Sequence, residues 1–234
     1  MQLFYDPQLE VHTEQFSFTE EESKHIVRVL RKKVDDSLQI TNGKGHIFQA
    51  KILVPNPKNC VAAITSATPY PQRPYKLHLA VAPTKLNDRF EWFLEKATEI
   101  GVDQITPIYC DRSERRSVKP GRMEKVVQSA MKQSLQAYLP QLNGAVAFRE
   151  FMEVEHAGAG FIAHCEEGVR TELKARTKPN TDMTILIGPE GDFSPLEIKL
   201  ALERGFLPVA LGANRLRTET AAIVACATVA LANT

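Results

Sequence analysis

The sequence predicts an α/β chain in two parts: a small N-terminal β-barrel over residues 1–70 and a larger parallel-sheet α/β domain over residues 75–234. Three observations carry that reading. The first 70 residues consist of short β-type runs separated by tight turn signals. Three prolines then fall within Pro69-Tyr-Pro-Gln-Arg-Pro74, a stiff segment that neither a helix nor a central strand can cross. Beyond it, short apolar runs alternate with amphipathic stretches, the pattern of a parallel sheet covered on both faces.

In the N-terminal part, Ser37 to Thr41 reads as a strand and Asn42-Gly43 as a hairpin turn. His46 to Val54 and Cys60 to Thr68 follow as strands. One helix interrupts, opened by a capping box from Thr19 to Glu22, with Ile26, Val29 and Leu30 as its apolar face. In the second part, Leu77 to Ala82 is a strand, and Asn87 to Ile100 is a helix stopped at Gly101. Val102 to Tyr109 is a strand and Arg122 to Tyr138 a helix. Phe161 to Ala163, Thr184 to Ile187 and Pro208 to Leu211 are further strands. The alanine-rich run Ala221 to Ala232 is a packed helix.

Composition excludes several classes. At 234 residues and 43% hydrophobic content the chain can build a core. No apolar run approaches the roughly 20 residues of a membrane span, and Met1 to Asp6 lacks the basic and apolar features of a signal peptide. A cytoplasmic location follows as the expectation, with Cys60, Cys110, Cys165 and Cys226 as buried free thiols. No cysteine or histidine spacing predicts a metal site; His12, His46, His78, His156 and His164 read as structural. The net charge of +1 decides nothing about nucleic acid, so local clusters must.

Two segments near the C-terminus hold the most information. Ile185-Leu-Ile-Gly-Pro-Glu-Gly-Asp-Phe-Ser-Pro-Leu-Glu197 and Leu211-Gly-Ala-Asn-Arg-Leu-Arg-Thr-Glu-Thr-Ala221 each run from a strand through a glycine turn into a helix. In the first, Ser194 caps the helix, Pro195 takes its first position and Glu197 closes a capping box. In the second, Thr218 is the candidate cap. They read as two adjacent backbone loops that hold one ligand, and neither carries a phosphate-binding signature. Two ordinary strand-to-helix turns would share this layout.

These residues resemble the ribosomal RNA small-subunit methyltransferase E family. The resemblance rests on Gly188-Pro-Glu-Gly191 with Phe193-Ser194 and Glu197, and on Leu211-Gly212 with Leu216-Arg-Thr-Glu-Thr-Ala221. His25 with Val29-Leu-Arg31, Lys96-Ala-Thr-Glu99 with Gly101-Val102, and Gln133-Ser134 extend it over nearly the whole chain. It implies a PUA-like β-barrel for RNA and a SPOUT-type α/β domain with a deep trefoil knot, a topology that ordinary chain-path rules would exclude. It also implies an S-adenosyl-L-methionine-dependent enzyme, usually a homodimer, that methylates N3 of a uridine in the decoding region of 16S rRNA in the small ribosomal subunit. Leu186, Ile187, Gly188, Pro189, Gly191, Leu211, Gly212, Leu216 and Arg217 would then hold the cofactor. Asp192 stands where the family pattern usually has glycine. Asp tolerates a left-handed backbone, and an outward-pointing carboxylate is the expectation.

Methylating uracil N3 requires loss of a weakly acidic proton or stabilisation of the anion. Arg217 could offer a cation to O2 or O4, and Glu190 and Glu219 are candidate bases. Each carboxylate also has a structural reading: Glu219 suits a helix first turn, and Glu190 could bond backbone amides of its loop. Five basic residues in the loop from Arg112 to Arg122 (Arg112, Arg115, Arg116, Lys119 and Arg122) are candidate RNA contacts, as are His25, Arg28 and Arg31 near the N-terminal helix. Trp92 and Phe93, beside Phe90, read as core rather than as base-stacking residues. Rival readings are a SPOUT enzyme for another RNA base, a non-catalytic RNA-binding assembly factor, and an unrelated enzyme for a small metabolite.

Overall fold

Alternating apolar residues in the N-terminal part form β1 (Leu3–Tyr5), β2 (Gln15–Ser17), β3 (Ser37–Thr41), β4 (His46–Val54) and β5 (Val61–Pro69), with the short helix α1 (Glu20–Lys24) after β2. The computed structural model describes residues 2–166 and 170–234. They form two compact units, one of Met1–Gln72 with Met131–Leu139, the other of Arg73–Ala130 with Pro140–Thr234. The chain therefore does not divide at a single point.

The first unit is one sheet in the order β1-β3-β4-β5-β2. β1 runs parallel to β3 and the other pairs are antiparallel. At the hairpin between β3 and β4, Asn42 Oδ1 accepts the N–H groups of Lys44 and His46 at 2.9 and 3.3 Å, and Gly43 takes φ +68°. Phe4, Phe18, Ile26, Ile40, Phe48 and Ile52 fill the core. The helix does not present the apolar face expected of it. Ile26 is fully buried but Val29 is 66% exposed, and Val27 packs on the core instead. The cause is a widened turn over His25–Val29, where the Leu30 N–H reaches back five residues to the His25 carbonyl. The wider turn rotates the following side chains off the ideal helical stripe.

The second unit contains β6 (Leu77–Val81), α2 (Asn87–Ile100), β7 (Gln104–Tyr109), α3 (Pro120–Gln133), β8 (Gln141–Leu142), β9 (Val146–Ala147), α4 (Phe148–Glu153), β10 (Ala159–Ala163), β11 (Thr171–Glu172), α5 (Leu173–Arg176), β12 (Met183–Ile187), α6 (Pro195–Glu203), β13 (Leu207–Ala210) and α7 (Thr218–Ala232). α3 continues into the first unit at Met131. Its strands pair in the order β11-β13-β10-β12-β6-β7-β8, with β9 also on β7. Every pair is parallel. Ala80, Ala82, Ile162 and Leu186 pack with Phe148, Phe151, Phe193 and Ile198 on one face. α7 packs on α2, β6 and β12, burying Ala222, Ala225, Cys226 and Val229.

α2 ends as expected, with Gly101 at φ +117° and its N–H on the Ala97 carbonyl at 3.0 Å. α3, expected from Arg122 to Tyr138, starts two residues earlier and stops at Gln133. Leu135 turns left-handed at φ +58°, and the backbone beyond pairs with the β3–β4 hairpin. The Gly45 N–H donates to the Ala137 carbonyl at 3.0 Å, and the Leu139 N–H to the Gly43 carbonyl at 2.9 Å. Of the four thiols expected to be buried, Cys165 is exposed. Trp92 is 44% exposed, whereas Phe90 and Phe93 are buried as read. Among the described residues no helix is long and apolar enough to cross a membrane, and no group of three or more His, Cys, Asp or Glu could hold a metal ion.

Candidate functional site

Parallel pairing sets the carboxyl ends of β13, β10, β12, β6 and β7 along one edge of the sheet, where α/β proteins place ligands. A cleft of about 600 Å³ opens there. Its walls come from three segments: Gly191 and Asp192 after β12, Leu211 to Leu216 after β13, and His164 to Glu166 after β10, with Arg112 and Arg170 beside them. The two C-terminal loops thus face one cavity. They are also tied directly, because the Thr218 hydroxyl donates to the Gly188 carbonyl at 3.0 Å. Thr218 was the expected helix cap. Instead Arg217 occupies the cap position, and Thr218 is the first helical residue.

The loop after β12 is heavily braced. A Cβ on Gly188 would meet Phe193 ring atoms at 3.0 and 3.1 Å, and that ring is fully buried. Arg112 Nη1 donates to the carbonyls of Gly191 and Phe193 at 3.0 and 3.3 Å. Ser194 and Glu197 form the expected capping box. The Glu197 carboxylate, 5% exposed, also accepts the Asp111 N–H at 2.9 Å, and Ser194 Oγ donates to Asp111 Oδ2 at 2.7 Å. Asp192 takes φ +64°. Its carboxylate does not point outward as expected. It accepts the Cys165 N–H at 2.7 Å and the Phe193 N–H at 2.8 Å, because the left-handed turn aims it back at the end of β10.

The loop after β13 is open by comparison. Gly212 has φ +119°, and an added Cβ would meet nothing within 4 Å among the described residues. Gly212 to Arg215 are exposed.

Of the residues expected to hold a cofactor, Gly191, Leu211, Gly212 and Leu216 line the cleft. Leu186, Ile187, Gly188 and Pro189 are buried in β12 and the turn after it, and do not line it. Arg217 is exposed at the start of α7. Glu190 Oε1 accepts the Lys85 N–H at 3.0 Å, so it bonds another loop rather than its own. Glu219 is 7% exposed; its Oε1 lies 3.9 Å from Arg89 Nε and its Oε2 has no hydrogen-bond partner among the described residues.

The basic loop after β7 has mixed duties. Arg116 Nη2 donates to the Asp111 carbonyl at 3.1 Å, Arg115 Nε to the Ser117 carbonyl at 2.7 Å, and Arg122 pairs with Glu91 at 2.6 Å. Lys119 is exposed and shares a small hollow with Arg115 and Arg122. In the first unit, Arg28 and Arg31 are exposed, and His25 Nε2 lies 2.7 Å from Gln2 Nε2.

Sequence reading missed His164, Cys165 and Arg170 as cleft residues. The usable signal was position: they follow an apolar strand of a parallel sheet, at its carboxyl end. Burial pushes the His164 imidazole below its ordinary value and outweighs the Asp192 carboxylate, which pulls the other way.

Comparison with known proteins bears on what fills such a cleft. Residues 71–230 match the RNA methyltransferase domain model, and residues 18–65 match the RNA methyltransferase PUA domain model. The chain is 31% identical over 219 residues to ribosomal RNA small subunit methyltransferase E of Buchnera aphidicola subsp. Acyrthosiphon pisum, covering 90% of this chain and 86% of that one. A solved protein from Porphyromonas gingivalis is 38% identical with a TM-score of 0.92, covering 100% and 98% of the two chains. Ribosomal RNA small subunit methyltransferase E from Neisseria gonorrhoeae, solved bound to S-adenosyl methionine, is 27% identical with a TM-score of 0.87, covering 97% and 95%.

Proposed function

This chain belongs to the ribosomal RNA small subunit methyltransferase E family, and from that premise we propose that it is an S-adenosyl-L-methionine-dependent methyltransferase of 16S rRNA. Its target is N3 of a uridine in the decoding region, and its larger unit is a SPOUT-type domain whose loops form a trefoil knot. The observation that carries the proposal is the single cleft walled by both glycine loops.

The cleft fits the cofactor. Gly212 leaves open space among the described residues where a side chain would project, while Gly191 makes room for Arg112, whose Cβ a side chain there would meet at 3.2 Å. Leu211, Gly212 and Leu216 on one side, with Gly191 and Asp192 on the other, would hold it. When bound, S-adenosylmethionine would supply an electrophilic methyl group to N3, its sulfur retaining the electron pair of the bond given up. Arg217 meets the negative charge that develops on the uracil oxygens while the N3 proton leaves to water. Glu190 and Glu219 act in position rather than as bases: Glu190 joins its loop to the backbone of Lys85, and Glu219 lies beside Arg89. Exposed Arg28 and Arg31 on the first unit, and Arg115, Arg116, Lys119 and Arg122 on the second, seat the RNA phosphates. The enzyme works in the cytoplasm as a homodimer, for which the 73% exposed Leu231 on α7 offers an apolar contact.

Two measurements test this. Calorimetry with S-adenosylmethionine should show saturable binding, and no heat at millimolar cofactor would remove the reading. Mass mapping of 16S rRNA from a deletion strain should show one unmodified decoding-region uridine, restored when purified protein is added to small subunits. Restoration at another base would move the target and keep the enzyme class.

A further inference from the structure

Asp192 is an acidic side chain on the cleft wall whose two carboxylate oxygens are both held by backbone N–H groups. Its φ of +64° turns the side chain back toward the end of β10. One carboxylate oxygen accepts the Cys165 N–H at 2.7 Å and the other the Phe193 N–H at 2.8 Å. These two bonds hold a negative charge at one place on the wall. Among the described residues, Arg112 and Arg170 on the cleft keep their positive charge, because their hydrogen-bond acceptors are neutral carbonyls, so the Asp192 carboxylate is the held negative charge that offsets them. Arg112 Nη1 is engaged with the Gly191 and Phe193 carbonyls, and Arg170 Nη1 with the His164 carbonyl. Glu166 and Arg215 are exposed, where solvent screens them.

A methyl donor and its spent product differ in one respect that such a charge can read. The donor carries a positive sulfonium. The product is a neutral thioether of nearly the same shape, because the methyl leaves without the bonding electron pair. Shape alone therefore separates the two weakly, whereas a fixed carboxylate separates them by charge. We infer that Asp192 is a specificity-determining residue that favours the sulfonium form of the cofactor over its thioether product, so that the product leaves the cleft more readily after transfer. This inference rests on the cofactor reading above.

The test uses the full chain and three proteins: wild type, Asp192→Asn and Asp192→Gly. Both replacements tolerate a left-handed backbone. Asn keeps the size without the charge, and Gly removes both. Calorimetry gives the dissociation constants for S-adenosylmethionine and S-adenosylhomocysteine. The preference for the methylated form should fall about threefold to tenfold in both variants, the range for a single charge acting across a partly solvated cleft. The wild-type preference should also shrink at high salt while that of the variants stays flat. An unchanged preference in both variants, with the donor still bound, overturns the inference and leaves Asp192 a loop brace. A fall in the glycine variant alone also overturns it, because bracing and not charge would then be at work. Wild-type protein that binds neither compound overturns the cofactor assignment itself, a result read from a different titration.

Discussion

The two glycine loops share one layout in sequence and differ sharply in structure. The loop after β12 is held by Arg112, Asp192, Ser194, Glu197 and Phe193, and its first glycine has no room for a side chain. The loop after β13 has exposed residues from Gly212 to Arg215, and its glycine faces open space. The first glycine serves packing and the second serves conformation and access. One wall of the cleft is thus braced by packing and hydrogen bonds, and the other is open to solvent.

The largest effect should come from the open side. Arg217→Ala is expected to lower kcat about a hundredfold, the usual consequence of losing one group that meets developing charge. KM for the cofactor should stay near the wild-type value. An equal rise in that KM would move Arg217 from chemistry to binding and weaken the contrast between the loops. Next, valine at each glycine should separate the two roles. Gly188→Val forces the buried Phe193 ring to move and should cost about 1–3 kcal/mol, seen as a melting point lower by several degrees. Gly212→Val meets no packed neighbour among the described residues but is strained at φ +119°, so its melting point should fall too, and cofactor heat should be lost while the variant is still folded. Cofactor heat kept by folded Gly212→Val, or lost by folded Gly188→Val, would break the comparison.

Arg112→Ala should weaken cofactor affinity about tenfold by freeing two carbonyls of the rigid loop, with RNA affinity held by Arg115, Lys119 and Arg122. A loss of RNA affinity alone would return Arg112 to the phosphate-binding set. The smallest effect concerns acid. Burial, with a smaller contribution from nearby His156, pushes the His78 imidazole down to about 4. The unfolded chain therefore binds a proton that the folded chain refuses between about pH 6.5 and pH 4. Stability present above that window is lost as pH falls through it. His78→Gln should flatten the pH dependence of urea midpoints there while changing little at pH 7.5.

Features set by neighbours in sequence were legible. α2 ended at Gly101 because a left-handed stop needs only the local chain, and the two ends of the Ser194–Glu197 box lie three positions apart. Features set from far away were not. Thr218 looked like a cap, yet its hydroxyl serves a carbonyl on the other loop. Val29 lay on the helical stripe until one widened turn displaced it. Asp192 could be read as a residue fit for a left-handed turn, but its partner Cys165 lies on a different strand end. The same limit hid Arg112, whose positive charge suggested RNA and whose nearest acceptors are backbone carbonyls of Gly191 and Phe193.

The middle of the larger sheet joins β6 to β12, with Leu77 opposite Met183 and Val81 opposite Ile187. Those partners lie 106 positions apart in sequence, nearly half the chain, so the central ladder closes a long loop. The first unit's hairpin from β3 to β4 meets no such delay. Refolding followed by two probes should therefore be biphasic, with the hairpin region acquiring hydrogen-exchange protection early and cofactor uptake returning late. A cell making this chain would hold a partly ordered species for some time before it could carry out any chemistry.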